Sequence, residues 1–253
     1  IFTMPPHPRR DTLPENMTFA SDAMAYGIDT GDGWLCRSHD ETPAIIKYSY
    51  DGEIIWRREY AYELEYPYID AVTPAADGGF VFVLDQGSAS DVGYTRFASI
   101  IRCDREGREI WRTAFEDHMG LRFRSVFEWQ GESFLAVGTW QNPNGHDSLD
   151  DVYLCTLSSE GSVVKEAHYG GSDFDRVRQA AIFDGCGVVL DISTQSKDGD
   201  FSASGDGYPV SVMAMFDGEL NLQWYHVLDW DIYFEGGMIV KDNELYLAQY
   251  RYE

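Results

Sequence analysis

Apolar and polar residues alternate in short runs along the chain, and glycine-containing turns separate those runs. Phe80 to Val83, Phe134 to Val137 and Val188 to Leu190 are dense in β-branched and aromatic residues. Each follows a turn: Asp77-Gly78-Gly79, Gly131-Glu132-Ser133 or Asp184-Gly185-Cys186. Asp32-Gly33-Trp34-Leu35 begins this series and Asp242-Asn243-Glu244-Leu245 ends it. Asp-Gly between apolar runs is hairpin chemistry, because glycine takes the positive φ that tight turns demand. No stretch shows a helical period. The pattern predicts strands throughout.

A second motif runs in phase with the first. Asp51-Gly52-Glu53-Ile54-Ile55-Trp56-Arg57 recurs as Glu106-Gly107-Arg108-Glu109-Ile110-Trp111-Arg112, then in degraded form as Glu160-Gly161-Ser162-Val163-Val164-Lys165. A fourth copy, Asp217 to Trp224, reads as stretched by two residues. Its glycines fall at 52, 107, 161 and 218, giving steps of 55, 54 and 57. Each repeat holds four short strands. The first is an apolar run such as Ile69 to Thr73; the third is Ala44 to Tyr48, Ser99 to Cys103, Val152 to Leu157 or Val210 to Phe216. Tandem four-stranded units of this length predict an all-β fold, a β-propeller of four-stranded blades.

Residues 1–17 are a proline-rich N-terminal extension and a candidate closing strand. Residues 18–253 form one propeller domain, with repeats at about 18–60, 61–115, 116–170, 171–228 and a half copy at 229–253. Four full repeats plus a half predict five blades. The alternative is a larger ring whose other strands lie outside this sequence.

Composition changes the picture in three ways. With 253 residues, 44% hydrophobic and 15% aromatic, the chain has material for a core and is not globally disordered. The 43 acidic against 19 basic residues give a net charge of −24, which disfavours a nucleic-acid partner. No apolar run approaches membrane-span length, so no transmembrane segment is expected. The chain opens at Ile1 without an initiator methionine, as a fragment or processed product would, and an export signal removed upstream is open. Cys36, Cys103, Cys155 and Cys186 show no CxxC spacing; the first three sit in apolar runs and read as core residues.

The fourth repeat carries a resemblance. It reads Gly170-Gly171-Ser172-Asp173-Phe174-Asp175, then Asp184-Gly185, Ser193-Thr194-Gln195-Ser196-Lys197-Asp198-Gly199-Asp200, Gly205-Asp206-Gly207 and Asp217-Gly218 to Trp224. This resembles the tandem repeats of secreted and surface-attached bacterial β-propeller proteins, many of them lipoproteins. The Asp-Gly…Trp element also resembles, more distantly, the repeat of quinoprotein-like propellers, without the vicinal cysteines that some of those enzymes carry. The resemblance implies a fold and an extracellular or cell-surface location, with lipid anchoring through an upstream segment as one form of it. It implies no particular reaction.

Candidate chemistry follows from the repeat. Ten and twelve residues before the aligned second-strand positions Trp34, Phe80, Phe134, Val188 and Leu245, the first strand of each blade carries polar groups, whereas position −11 is predominantly apolar. Period-two alternation turns −10 and −12 away from the packing between blades. The polar set is Asp22, Tyr68, Asp70, Arg122, Arg124, Arg176, Arg178, Tyr233 and Glu235. Arginine forks clustered in an acidic chain suit capture of carboxylate, sulfate or phosphate. The competing expectation is structural, with those arginines paired to Asp70, Asp173, Asp175 and Glu235.

Asp198, Asp200 and Asp206, interspersed with glycine, form a candidate calcium loop, the alternative being solvated turn acids; no other cofactor is expected. Tyr60, Tyr62, Tyr66 and Tyr68 cluster between repeats one and two, as interblade packing or as exposed contacts. No HExxH or GxSxG motif occurs. The expectation is a monomeric, non-catalytic binding or scaffold propeller that recognises a protein or glycan at the central channel face. The alternative is a glycoside-hydrolase-like enzyme using Asp70 and Glu235.

Overall fold

The computed structural model describes residues 27–38, 42–90, 93–131, 133–141, 150–183, 187–202, 209–228, 238–241 and 244–247. Four antiparallel four-stranded sheets follow one another along the chain. Blade one is β1 (Ile28–Asp29), β2 (Trp34–Arg37), β3 (Ala44–Tyr48) and β4 (Ile54–Glu59). Blade two is β5 (Tyr68–Pro74), β6 (Phe80–Ser90), β7 (Gly93–Cys103) and β8 (Glu109–Ala114). Blade three is β9 (Arg122–Trp129), β10 (Ser133–Gln141), β11 (Asp150–Leu157) and β12 (Val163–Tyr169). Blade four is β13 (Asp175–Phe183), β14 (Gly187–Thr194), β15 (Val210–Asp217) and β16 (Leu222–Leu228). A two-stranded sheet, β17 (Met238–Lys241) with β18 (Glu244–Leu247), follows them. The described residues thus hold four complete blades and one two-stranded sheet; the closing-strand candidate, residues 1–17, lies outside them.

Within each blade the strands pair in sequence order, as short hairpins dictate. First strands meet first strands: β5 contacts β9, β9 contacts β13, and β13 contacts β17. The innermost strands are therefore gathered about a common axis. The core lies between blades. Leu35 and Ile45 of blade one pack on Ile69, Phe80 and Phe82 of blade two. Val81, Val83 and Ile100 of blade two pack on Phe123, Val126 and Phe134 of blade three. Leu135, Val137 and Leu154 pack on Val177, Val188 and Leu190 of blade four. Cys36, Cys103 and Cys155 are free and buried in these layers; Cys186 lies outside the described residues.

The recurring tryptophan is an interblade bolt. Trp56 stacks on Phe80 at 6.0 Å and 15°, and Trp111 meets Phe134 edge-on at 5.5 Å while its indole nitrogen donates to the Ser159 carbonyl at 2.8 Å. The turn glycine of the next blade lets the tryptophan in. Gly107 has φ +76°, and a Cβ there would stand 3.0 Å from the Trp56 ring and 2.8 Å from Arg58 Cγ. Gly107→Ala is expected to cost about 2 kcal/mol, strain plus lost packing. Gly31→Ala, with φ +78° but open space around it, should cost only the strain, about 1 kcal/mol. Paired thermal melts check the difference; equal losses would remove the packing role.

One register differs from expectation. Gly52, Gly107 and Gly161 each donate their amide to the residue three back: Ser49, Asp104 and Ser158. In blade four that place belongs to Leu220, whose amide donates to Asp217. Leu220, not Gly218, is the left-handed residue, at φ +61°. The fourth copy is therefore not stretched: Trp224 follows Leu220 by four residues, as Trp56 follows Gly52. A leucine persists in this conformation because its side chain is 1% exposed, within the core between blades three and four.

Candidate functional site

Three inner strands repeat one local geometry. Position −11 is Ile69, Phe123 or Val177, and each is buried. Position −12 pairs with the second strand: Tyr68 with Asp85, Arg122 with Thr139, Arg176 with Ser193. The ladder then slips. Asp70 with Ala71, Arg124, and Arg178 drop out of register in blades two, three and four. A β-bulge leaves its extra residue unpaired and re-aims its side chain. The −10 residue of blades two, three and four therefore leaves the regular ladder and is turned out of the interblade packing. In blade three the slip needs Gly138, where a Cβ would come 2.1 Å from the Arg122 carbonyl.

The structure brings Tyr68, Asp70, Arg122 and Arg124 together with three residues that sequence reasoning missed. Arg37 stands at the repeat position of Val83 and Val137. Its Nη1 donates to the Ile69 and Asp70 carbonyls at 2.7 and 2.6 Å and lies 4.0 Å from Asp70 Oδ1. Arg124 Nη1 is 3.6 Å from Asp70 Oδ2. Asp85 is fully buried, and Arg96 forks onto it, Nε to Oδ1 at 2.5 Å and Nη2 to Oδ2 at 2.6 Å. The Tyr68 hydroxyl donates to Asp85 Oδ2 at 3.1 Å and also touches Arg96, whose guanidinium lies 5.3 Å from the Tyr68 ring centroid.

Burial pushes the Asp70 carboxyl up, against the pull of Arg124, Arg37 and Arg122. Burial likewise raises Asp85 and lowers Arg96, and the repulsion of Arg122 and Arg124 lowers Arg96 further. Four guanidiniums thus act on two carboxylates, a locally cationic spot in a chain of charge −24. Arg122 and Arg124 are exposed; Arg122 has no ion pair among the described residues.

Blade four is arranged differently. Arg176 pairs with Asp150 and lies 4.4 Å over the Phe174 ring. Arg178 donates to Ser193 Oγ at 2.9 Å and Ser211 Oγ at 3.2 Å. Beside it, Asp191 is 4% exposed and its Oδ1 has no hydrogen-bond partner. Burial pushes Asp191 up to about 6, Arg178 opposing. Of the carboxylates expected to pair with these arginines, only Asp70 does so among the described residues. Asp175 instead accepts from the Gly171 amide at 2.8 Å and Ser196 Oγ at 2.7 Å, and Asp173 accepts from the Phe174 amide at 2.8 Å. Asp22, Tyr233 and Glu235 lie outside the described residues.

In the glycine-rich loop, Asp198 accepts from the Ser172 amide at 2.8 Å and Asp200 from the Gly170 amide at 3.0 Å. These carboxylates tie the loop to the Gly170-Gly171-Ser172 turn. No group of three or more His, Cys, Asp or Glu side chains is placed to hold a metal ion among the described residues, and Asp206 lies outside them. Of the clustered tyrosines, Tyr60 is buried and donates to the Gly107 carbonyl at 3.1 Å. Tyr62, Tyr66 and Tyr68 are exposed.

No protein-family model and no curated protein matches the chain. Solved structures share its fold at low identity. An apocarotenoid oxygenase of Synechocystis superposes with a TM-score of 0.50 at 8% identity, over 85% of this chain and 51% of that one; the chain spans about half of that enzyme. An endo-arabinase from Bacteroides thetaiotaomicron gives 0.48 at 10% identity, over 88% and 86% of the two chains. BamB from Moraxella catarrhalis gives 0.39 at 11%, over 88% and 81%. At such identities the likeness is one of fold. No helix among the described residues is long and apolar enough to cross a membrane. Repeated four-stranded antiparallel sheets, joined face to face with their first strands innermost, make this chain an all-β propeller.

Proposed function

We propose that this propeller is a non-catalytic binding protein of the bacterial cell surface that holds an acidic group of a protein or glycan at its channel face. One observation carries the reading. Asp70 is held between Arg37 and Arg124, while the guanidiniums of Arg122 and Arg124 remain exposed beside it. Asp70 acts as an internal counterion, and an incoming carboxylate, sulfate or phosphate competes for the same forks. A glycosidase acid would need a second carboxylate facing it across an open cleft. The described carboxylate that acts on its neighbour Asp70, Asp85, is buried and forked to Arg96. The surface location rests on the repeat resemblance.

Thermal melts with a sulfated oligosaccharide, an oligouronate and an acidic peptide test this. Ligand at about one hundred times its Kd stabilises by roughly 2.7 kcal/mol, and the gain should fall with salt. Arg122→Ala with Arg124→Ala should abolish the shift, and Asp70→Asn should tighten binding by removing the competitor. An unchanged shift in the double variant, or none with any anion, overturns the reading.

A further inference from the structure

A cleft of about 330 Å³ opens where blades one, two and three converge, and Asp70 and Arg37 stand in its wall. The rest of the lining is mainly apolar, with Leu35, Ile45, Val72 and Phe127 forming much of it. The bulge makes room for it. Asp70 and Ala71 together face only Val83 across the ladder, so β5 bows away from regular pairing there. At the low end of ligand-pocket volumes, such a cleft admits one side-chain-sized group and excludes an oligosaccharide. In the wall itself Arg37 balances the carboxylate of Asp70. Just outside the lining Arg124, 42% exposed at the side chain, stands 3.6 Å from Asp70 Oδ2 and leaves the rim cationic.

We infer that this cleft binds an apolar carboxylate, with the apolar body against the partly exposed Val72 and Phe127 and the carboxylate on Arg124 at the rim. The inference rests on the binding reading above and names the ligand chemistry for it. Two sources share that chemistry: the C-terminal residue of a peptide and a small free acid. A cation is disfavoured because Asp70 is already matched by two guanidiniums. A neutral apolar group would leave Arg124 unused.

Calorimetric titration with 3-phenylpropionate, its amide and the corresponding amine separates these cases. The acid should bind, and the amide and amine should bind at least about tenfold more weakly, a difference of about 1.4 kcal/mol. Arg124→Ala should lower acid affinity by a similar factor, and Phe127→Ala should lower the affinity of acid and amide alike. Ligand-free melts establish that both variants fold. Peptides ending in phenylalanine, with free or amidated C-termini, distinguish the sources. Tighter binding of the free-ended peptide than of 3-phenylpropionate assigns a protein C-terminus; the reverse order assigns a small acid. Equal binding of acid and amide, preference for the amine, or no binding by any probe overturns the inference. If acidic glycans still shift the melt through Arg124, the channel-face reading survives and only the cleft proposal fails.

Discussion

Arg96→Ala is expected to destabilise the protein by about 3–5 kcal/mol, because it strands a fully buried carboxylate. Asp85 has no exposure, and Arg96 supplies both bonds of a fork at 2.5 and 2.6 Å. With the guanidinium gone, Tyr68 at 3.1 Å is the one remaining side-chain donor to Asp85 among the described residues. For a chain of this size the loss is about 6–20 °C in the melting midpoint. Burial already raises the Asp85 carboxyl, and removing Arg96 raises it further. The folded state then takes up a proton at pH values where the unfolded chain has released it. The penalty is therefore largest at neutral pH and above, and shrinks as pH falls toward the ordinary carboxylate range. Replacing both residues with apolar groups, Asp85→Leu with Arg96→Met, should recover most of the stability, since a buried pair contributes little net. A loss under 1 kcal/mol for Arg96→Ala at pH 7.5 would refute this account.

Asp191→Asn should have the opposite sign. The carboxyl sits 4% exposed with an unpartnered Oδ1, and burial raises it to about 6. Unfolded, it titrates near 3.8. Between those values the folded state holds a proton that the unfolded chain has lost. Stability therefore falls as pH rises through that window and stays low above it. The full difference corresponds to at most about 3 kcal/mol. The asparagine variant has no such titration. It should be more stable than the parent at pH 7.5 and close to it at pH 4. Urea titrations at the two pH values measure this, and an effect that does not change with pH would rule out the titration of Asp191 as its source.

Much of this architecture is visible in the sequence because its turns need glycine at fixed places. The strand Ala44–Tyr48 is found where the pattern puts it, and Ile69 to Thr73 lies within β5. β7 is longer than expected, starting at Gly93 rather than Ser99, because Arg96 and Phe97 continue the pairing to Gly87 and Gln86. The turn of blade four departs from the pattern because a buried leucine, Leu220, takes the conformation that glycine takes elsewhere. Site chemistry was legible only on the first strand, where polar residues recur in columns. Arg37, Asp85 and Arg96 lie on second and third strands. Their signal is a broken column: arginine where two other blades have valine, aspartate where Thr139 and Ser193 stand. Such a break shows that a position is unusual, but not what it faces: Arg37 meets Ile69 and Asp70 of the next repeat, whereas Asp85 meets Arg96 and Tyr68 on the other strands of its own blade.

The slipped inner strand has a consequence for how such a protein diversifies. The residue that leaves the ladder is Asp70 in one blade and an arginine, Arg124 or Arg178, in the next two, over the same buried Ile69, Phe123 or Val177. Because that residue neither pairs nor fills the core, exchanging it changes the charge at the axis with little effect on the scaffold. Duplication of one repeat multiplies a neutral socket, and later single-codon changes at that socket can retune ligand preference blade by blade. Selection for a new ligand and selection for folding then act on different residues.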